Sequence, residues 1–362
     1  MIENYYDIII IWWWSAWLFC ASQISRSYSI TILEKNNIPA QKLLLSAKWR
    51  GNITNININP EKDYVSDNIK FVASAFNTFW VKYFIKFLND EWIWIKEEDN
   101  GRILLKSGKV KEFHEKLLDI ILNKWVNMGY NTEFLNVKKT SDNLFEINTN
   151  NWIFKAQKLI VATWWPSFPK LGSSAIAINI AKKFNLEISE FYPALVGFET
   201  DQDFSSLSWS SAIWKLNLLE WNNVIYEEVW PILFTHRWIS WPTIFNASLF
   251  MRDKWKKYKA KIFISNKEIT KRLLSFLGFH TNKLKEYIIS TDIVDVRWLD
   301  EAKVCGWWIK TKNLNHSFEC KGTPWLYFIW ECVDVTGKTW WFNLQRCWTS
   351  AAICARWINT NK

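Results

Sequence analysis

The stretch Asp7-Ile8-Ile9-Ile10-Ile11-Trp12-Trp13-Trp14-Ser15-Ala16-Trp17 has the order of a nucleotide-binding turn but not its residues. A short β-branched run such as 8–11 reads as a buried parallel strand. Trp12, Trp14 and Trp17 then occupy the three places where the fingerprint G-x-G-x-x-G requires glycine. In that fingerprint the first glycine makes the tight turn. The second lets backbone approach a pyrophosphate, and the third lets the helix pack on the strand. Residues 15–27 read as the helix, whose unpaired N–H groups face the phosphate with a partial positive charge. Residues 29–33 read as the second strand. Glu34 closes it, where a carboxylate hydrogen-bonds ribose hydroxyls.

Composition supports reading glycine at these places. The 362 residues contain 28 Trp and only 10 Gly, whereas glycine ordinarily makes up roughly 7% of a chain. Pooled, the two types make up about a tenth of this one. Trp also recurs in pairs at 164–165, 307–308 and 340–341 and precedes proline at 165, 230 and 241, sites where turn chemistry favours glycine. The simplest cause is a UGA codon that the organism decodes as glycine and that is written here as Trp.

A hydrophobic content of 49% and a charged content of 22% describe a globular chain rather than a disordered one. Six cysteines without a CxxC pair and four scattered histidines signal neither a metal site nor a disulfide framework, which implies a reducing, cytoplasmic setting. Residues 5–21 are apolar enough to suggest a membrane helix. Asp7 within the run, and the absence of a basic stretch before it, argue instead for strand, turn and helix, with no membrane or signal segment. The net charge of +10 permits a polyanionic partner such as RNA, although runs such as Lys254 to Lys259 also read as solvated helix.

The texture along the chain is α/β. Helical periodicity covers 66–90 and 111–128, with short strands around Asn100-Gly101. Strands follow at 134–137, 144–147 and 159–162. Residues 191–302 change character, with short strands and then a lysine-rich helical stretch over 265–290. An apolar strand at 325–329 and a helix from Leu344 to Trp357 return to the first pattern. The expected fold is a Rossmann-like FAD-binding domain, a parallel sheet with helices, formed by 1–190 and 303–362. It is interrupted by an inserted strand-rich and helical substrate-side domain at 191–302.

No second fingerprint follows the first, and the closing segment favours FAD as the dinucleotide. Trp330-Glu331 and Asp334 follow the last long strand, where a strand-end acid holds the ribityl chain. Trp340-Trp341-Phe342-Asn343 reads as a Gly-Gly turn opening the final helix, whose N–H groups meet the flavin N1/O2 edge and favour its reduced, anionic form.

With glycine read for Trp, nearly the whole chain resembles the bacterial NAD(P)/FAD-dependent oxidoreductases of the aminoacetone-oxidase-like type. The matching stretches are Tyr6 to Trp17, Lys42 to Asn55, Ala162-Thr163-Trp164-Trp165, Leu233 to Pro242 and Trp325 to Gln345. Trp348 is the exception, since the resemblance keeps a true Trp there. The chain departs from the family's pattern at Ala47-Lys48-Trp49 and at Gly51, which adds two side chains to a loop that in the family wraps the cofactor. The resemblance implies cofactor contacts at Lys35, Lys42, Ser46, Arg50, Asn52, Val137, Thr163 and Trp164, besides the fingerprint and closing segments. Arg50 can pair with pyrophosphate, and the Asn52 amide can read a flavin edge. His236, in the loop Thr235-His236-Arg237, is a candidate proton donor to a reduced substrate. Cys332 and Cys347 read as buried apolar residues rather than acids.

These features point to an FAD-dependent oxidoreductase that moves a hydride through flavin N5, with NAD(P)H as a transient reductant and a small molecule or RNA as substrate. One alternative is reduction of uridine to dihydrouridine in ribosomal RNA, and another is a non-enzymatic flavin- or nucleotide-binding regulator. The coding DNA should carry UGA at codons 12, 14, 164 and 341. UGG at those codons removes the glycine reading.

Overall fold

The computed structural model describes residues 4–12, 15–37, 39, 43, 51–163, 175–190, 192–253, 255–265, 270–279, 286–297, 301–305 and 308–361. It divides into two compact units, Met1–Ser189 with Trp308–Lys362, and Glu190–Trp307.

The first unit is built on a seven-stranded sheet. Strand β1 (Asn4–Trp12) lies between β2 (Ile30–Leu33) and the long strand Ile153–Ala162, parallel to both. Asn127–Gly129 extends the parallel set beyond β2, and Leu326–Phe328 joins it on the far side of Ile153–Ala162. The strands Phe134–Lys139 and Phe145–Thr149 form an antiparallel meander with the start of Ile153–Ala162. Ile8, Ile9 and Ile10 are fully buried, as strands covered on both faces require.

Helix α1 (Ser15–Gln23) is buried from Ala16 to Ser22 and packs on the helix Val110–Leu122 and on the closing helix Thr339–Thr360. That explains its unbroken apolar sequence. Trp348 of the closing helix anchors this packing. Its indole stacks on Phe84 at 4.9 Å and meets Phe19 edge-on at 5.6 Å, and its N–H donates to the Ile53 carbonyl at 2.9 Å.

The second unit contains a closed six-stranded barrel, in the order Phe198–Thr200, Trp238–Ser240, Asn223–Phe234, Ser211–Glu220, Tyr258–Ser265, Glu286–Val296. This corrects two expectations. The helix expected over 265–290 is confined, among the described residues, to Lys271–Phe276, and a strand of eleven residues begins at Glu286. The lysine-rich run around 256–259 leads into a strand rather than a helix, because Tyr258, Ala260, Ile262 and Ile264 alternate inward. Its lysines pair across strands, Lys256 with Glu220 at 2.7 Å and Lys259 with Asp292 at 3.2 Å.

Trp348→Ala removes a fully buried stack and a hydrogen bond, and should lower stability by about 3–5 kcal/mol, read as a lower urea midpoint at unchanged slope. An unchanged midpoint would show that the stack contributes nothing.

Candidate dinucleotide site at the strand ends

The carboxyl ends of the parallel strands lie side by side. Trp12 pairs with Ala162, Ile11 with Leu33, and Val161 with Phe328. The fingerprint turn, Glu34, Thr163 and the 330–334 segment each follow one of these strands, so they come together from four distant parts of the sequence. In an open α/β sheet this edge is where ligands bind. Ala16 and Trp17 are buried in α1, which has no acidic residue in its first turn to compete with an anion. Only the backbone of Trp12 and Ser15 is described, and Trp14, Lys42, Ser46, Arg50 and Trp164 lie outside the described residues.

Glu34 is 1% exposed. Its backbone N–H donates to Gly129 at 2.9 Å and its carbonyl accepts from Thr132 at 2.7 Å, which fixes the carboxyl at the strand end. The side chain accepts from the Asn36 N–H. Burial outweighs that bond and pushes the carboxyl up to about 8. Lys35 points elsewhere, pairing with Glu133 at 2.6 Å on the surface. Val137 is buried in the meander opposite Ile147, two strands from Ile153–Ala162.

Thr163 is buried and covers Cys332, whose thiol donates to the Thr163 carbonyl at 3.1 Å. Burial pushes that thiol up to about 12, so it stays protonated and unreactive. Trp330 has φ 61° and its N–H donates to Ser350 Oγ at 3.1 Å. Glu331 and Asp334 are both buried. Asp334 is held by backbone, its N–H donating to Ile309 at 2.9 Å and its carbonyl accepting from Ser66 Oγ at 2.6 Å.

The closing segment differs from the expected turn. Trp340, Trp341 and Phe342 lie in the first turn of the helix Thr339–Thr360, not before it. Asn343 is the cause: it accepts from Gly337 N–H at 3.0 Å and donates to the carbonyls of Gly337 at 2.8 Å and Thr339 at 2.9 Å. Its amide is therefore a clasp within the protein rather than a group offered to a ligand. The clasp brings the chain so close that a Cβ on Gly337 would lie 2.7 Å from Phe342 Cβ. Trp341 is half-buried, and the Phe342 carbonyl accepts from Tyr64 Oη at 2.7 Å.

Asn52 begins a strand, Asn52–Asn55, that packs on the closing helix. Its Oδ1 is buried without a hydrogen-bond partner among the described residues, an arrangement that costs stability until a donor is supplied. Arg346 is a residue that sequence reasoning missed. It is 4% exposed, and Nη1 donates to the Val333 carbonyl at 3.2 Å. Nε and Nη2 meet no acceptor among the described residues. Burial pulls this guanidinium below its ordinary pKa, and the charge of Glu331 opposes that only in part. Only the helical phase that turns position 346 inward toward 331–333 distinguishes it from a surface arginine.

His236 belongs to the barrel unit, where it is exposed with Nδ1 3.2 Å from Ser208 Oγ. Among the described residues no helix is long and apolar enough to cross a membrane, and no cluster could hold a metal.

Because the Glu34 carboxyl is neutral in the folded protein and ionises near pH 4.5 once unfolded, its contribution to stability is complete below that pH. It is lost as the pH rises toward 8. The ligand-free protein should lose about 1.4 kcal/mol per pH unit in this window from that group, and Glu34→Gln should flatten the melting profile. Parallel profiles for the two proteins would show that the carboxyl is not buried.

The chain is similar in sequence to two curated proteins and in fold to solved structures. Ribosomal RNA dihydrouridine synthase of Haemophilus influenzae is 26% identical over 409 residues, covering 98% of each chain. The enzyme of the same name in Escherichia coli is 26% identical over 399 residues, covering 97% of each. Among solved structures, a 3-ketosteroid-Δ4-(5α)-dehydrogenase of Rhodococcus jostii superposes with a TM-score of 0.53 at 8% identity, covering 98% of this chain and 97% of that one. Escherichia coli quinol fumarate reductase gives 0.52 at 8% identity, covering 99% and 71%. The model of the HI0933-like protein Rossmann domain matches residues 6–357, and with the strand-end site this places the chain in the HI0933-like Rossmann family.

Proposed function

We propose that this protein is an FAD-dependent oxidoreductase. The observation that carries the reading is the convergence of α1, Glu34, Thr163 and Glu331–Asp334 on one edge of the parallel sheet. The residues there suit the cofactor. Glu34 offers a buried carboxyl to ribose hydroxyls, and the unpartnered Asn52 Oδ1 can accept an N–H of a planar ring. The buried Arg346 supplies positive charge beside Glu331. Bound FAD would supply hydride transfer through flavin N5. The protein's part is to orient the ring, exclude water and hold charge. NAD(P)H is the reductant we assign.

This reading requires bare backbone at 12, 14 and 17, as it does at 164, 330 and 341. We therefore take the native residues there to be glycine, with UGA as the codon. Indoles at 12 and 14 would fill the space the diphosphate needs.

For the substrate we favour a uridine of ribosomal RNA, reduced to dihydrouridine. Two relatives of matching length bear that activity in their names, and the net charge of +10 suits a polyanion. His236 remains the proposed proton donor to substrate.

Protein purified from its own cells should show a flavin spectrum that bleaches on anaerobic addition of NADPH or NADH. Asn52→Ala should weaken FAD retention about tenfold without changing the fold. Colourless protein would remove the flavoenzyme reading. Coloured protein that neither nicotinamide bleaches would remove the reductant. RNA retention that is insensitive to salt would argue against an RNA substrate.

A further inference from the structure

Backbone geometry carries the glycine reading beyond the cofactor turn, and all but Trp330 of the positions it reaches lie outside the cofactor contacts named above. Among the described residues, fourteen non-glycine residues have positive φ, and seven of them are Trp92, Trp125, Trp209, Trp221, Trp241, Trp325 and Trp330. Four of the others are Asn, the L-residue that tolerates this region best. Trp has no such tolerance, because its Cβ crowds the following carbonyl.

Four of these positions, 92, 125, 221 and 241, also have a defined structural role. Helix Val81–Asp90 ends with Trp92 N–H on the Asn89 carbonyl at 3.1 Å and Ile93 N–H on Leu88 at 2.8 Å. Helix Val110–Leu122 ends alike, with Trp125 on Leu122 at 2.9 Å and Val126 on Ile121 at 3.3 Å. This is the Schellman motif, whose left-handed residue is usually glycine. The chain ends a third helix, Lys271–Phe276, by the same pair of bonds, and there the left-handed residue is Gly278, with φ 76°. Trp221 is the first of two loop residues joining Glu220 to Asn223. It alone of the two has positive φ, as glycine does in a type II′ hairpin. Trp241, before Pro242, has φ 93° and ψ 171°, a region that is essentially glycine's alone. The indoles of Trp92, Trp125 and Trp209 are 76%, 89% and 77% exposed, so burial does not offset the strain.

We infer that the native polypeptide has glycine at 92, 125, 209, 221, 241, 325 and 330, and a true tryptophan at 348. Trp348 is buried, stacked and hydrogen-bonded through its indole N–H. The inference extends the glycine reading of the cofactor turn, shares only position 330 with it, and rests on a separate observation, the sign of φ.

Peptide mass mapping of the protein isolated from its own cells should find glycine at those seven positions and tryptophan at 348. Tryptophan at the seven overturns the inference, whether or not the same sample carries flavin. The chain made with Trp throughout gives a second test. Trp92→Gly and Trp125→Gly should melt above Trp92→Ala and Trp125→Ala, because alanine keeps the offending Cβ. At Trp152 and Trp255, exposed without positive φ, alanine should do at least as well as glycine. Alanine equal or superior at 92 and 125 overturns the backbone argument.

Discussion

The parallel pairing that sets Trp12 beside Ala162 and Ile11 beside Leu33 governs what the molecule can bind. Parallel strands end on one edge, and the segments leaving them must turn there. A loop after β1, an acid after β2, a threonine after Ile153–Ala162 and the 330–334 segment are thereby gathered without any contact between their own sequences. The register does this through main-chain hydrogen bonds, so it tolerates wide variation in side chains. That tolerance is consistent with a superposition on a ketosteroid dehydrogenase at 8% identity.

Polar groups at that edge are drier than their chemistry favours. Glu34, Glu331, Asp334 and Arg346 are all at least 95% buried. Burying charge costs several kcal/mol unless a partner offsets it, and Glu34 avoids that cost by keeping its proton. A site arranged this way holds its dipoles in place before a ligand arrives, which is how a protein tunes a bound cofactor. Cys332 is the contrasting case: buried as deeply, but apolar in character and kept as a thiol.

Among the described tryptophans two contrasting classes stand out. Trp348 uses its whole surface, with rings packed on two sides and its N–H bonded. Trp92 and Trp125 use none of theirs and sit where a side chain is a hindrance. Backbone conformation, which is set by neighbours, separates the two classes more sharply than counting residues does.

Much of the first unit was legible in the sequence, because a parallel strand, its turn and its helix are local and their period is short. The run 8–11, the helix from Ser15, β2 and the acid at its end needed only the order of residues. The closing segment's strand and helix were legible, but the Asn343 clasp was not, since Asn343 reads identically whether its amide faces a ligand or the backbone six residues away. Arg346 was invisible for a similar reason: burial of a single arginine depends on what packs over its helix. The barrel was misread where lysines alternate with apolar residues over a stretch too short to separate a strand from a helix, and only closure against Glu286–Val296 decided it. Sequence thus fixes what hydrogen-bonding neighbours a few residues apart can determine. Tertiary structure decides which polar side chains are left facing a ligand, because desolvation and pairing depend on every element that covers them.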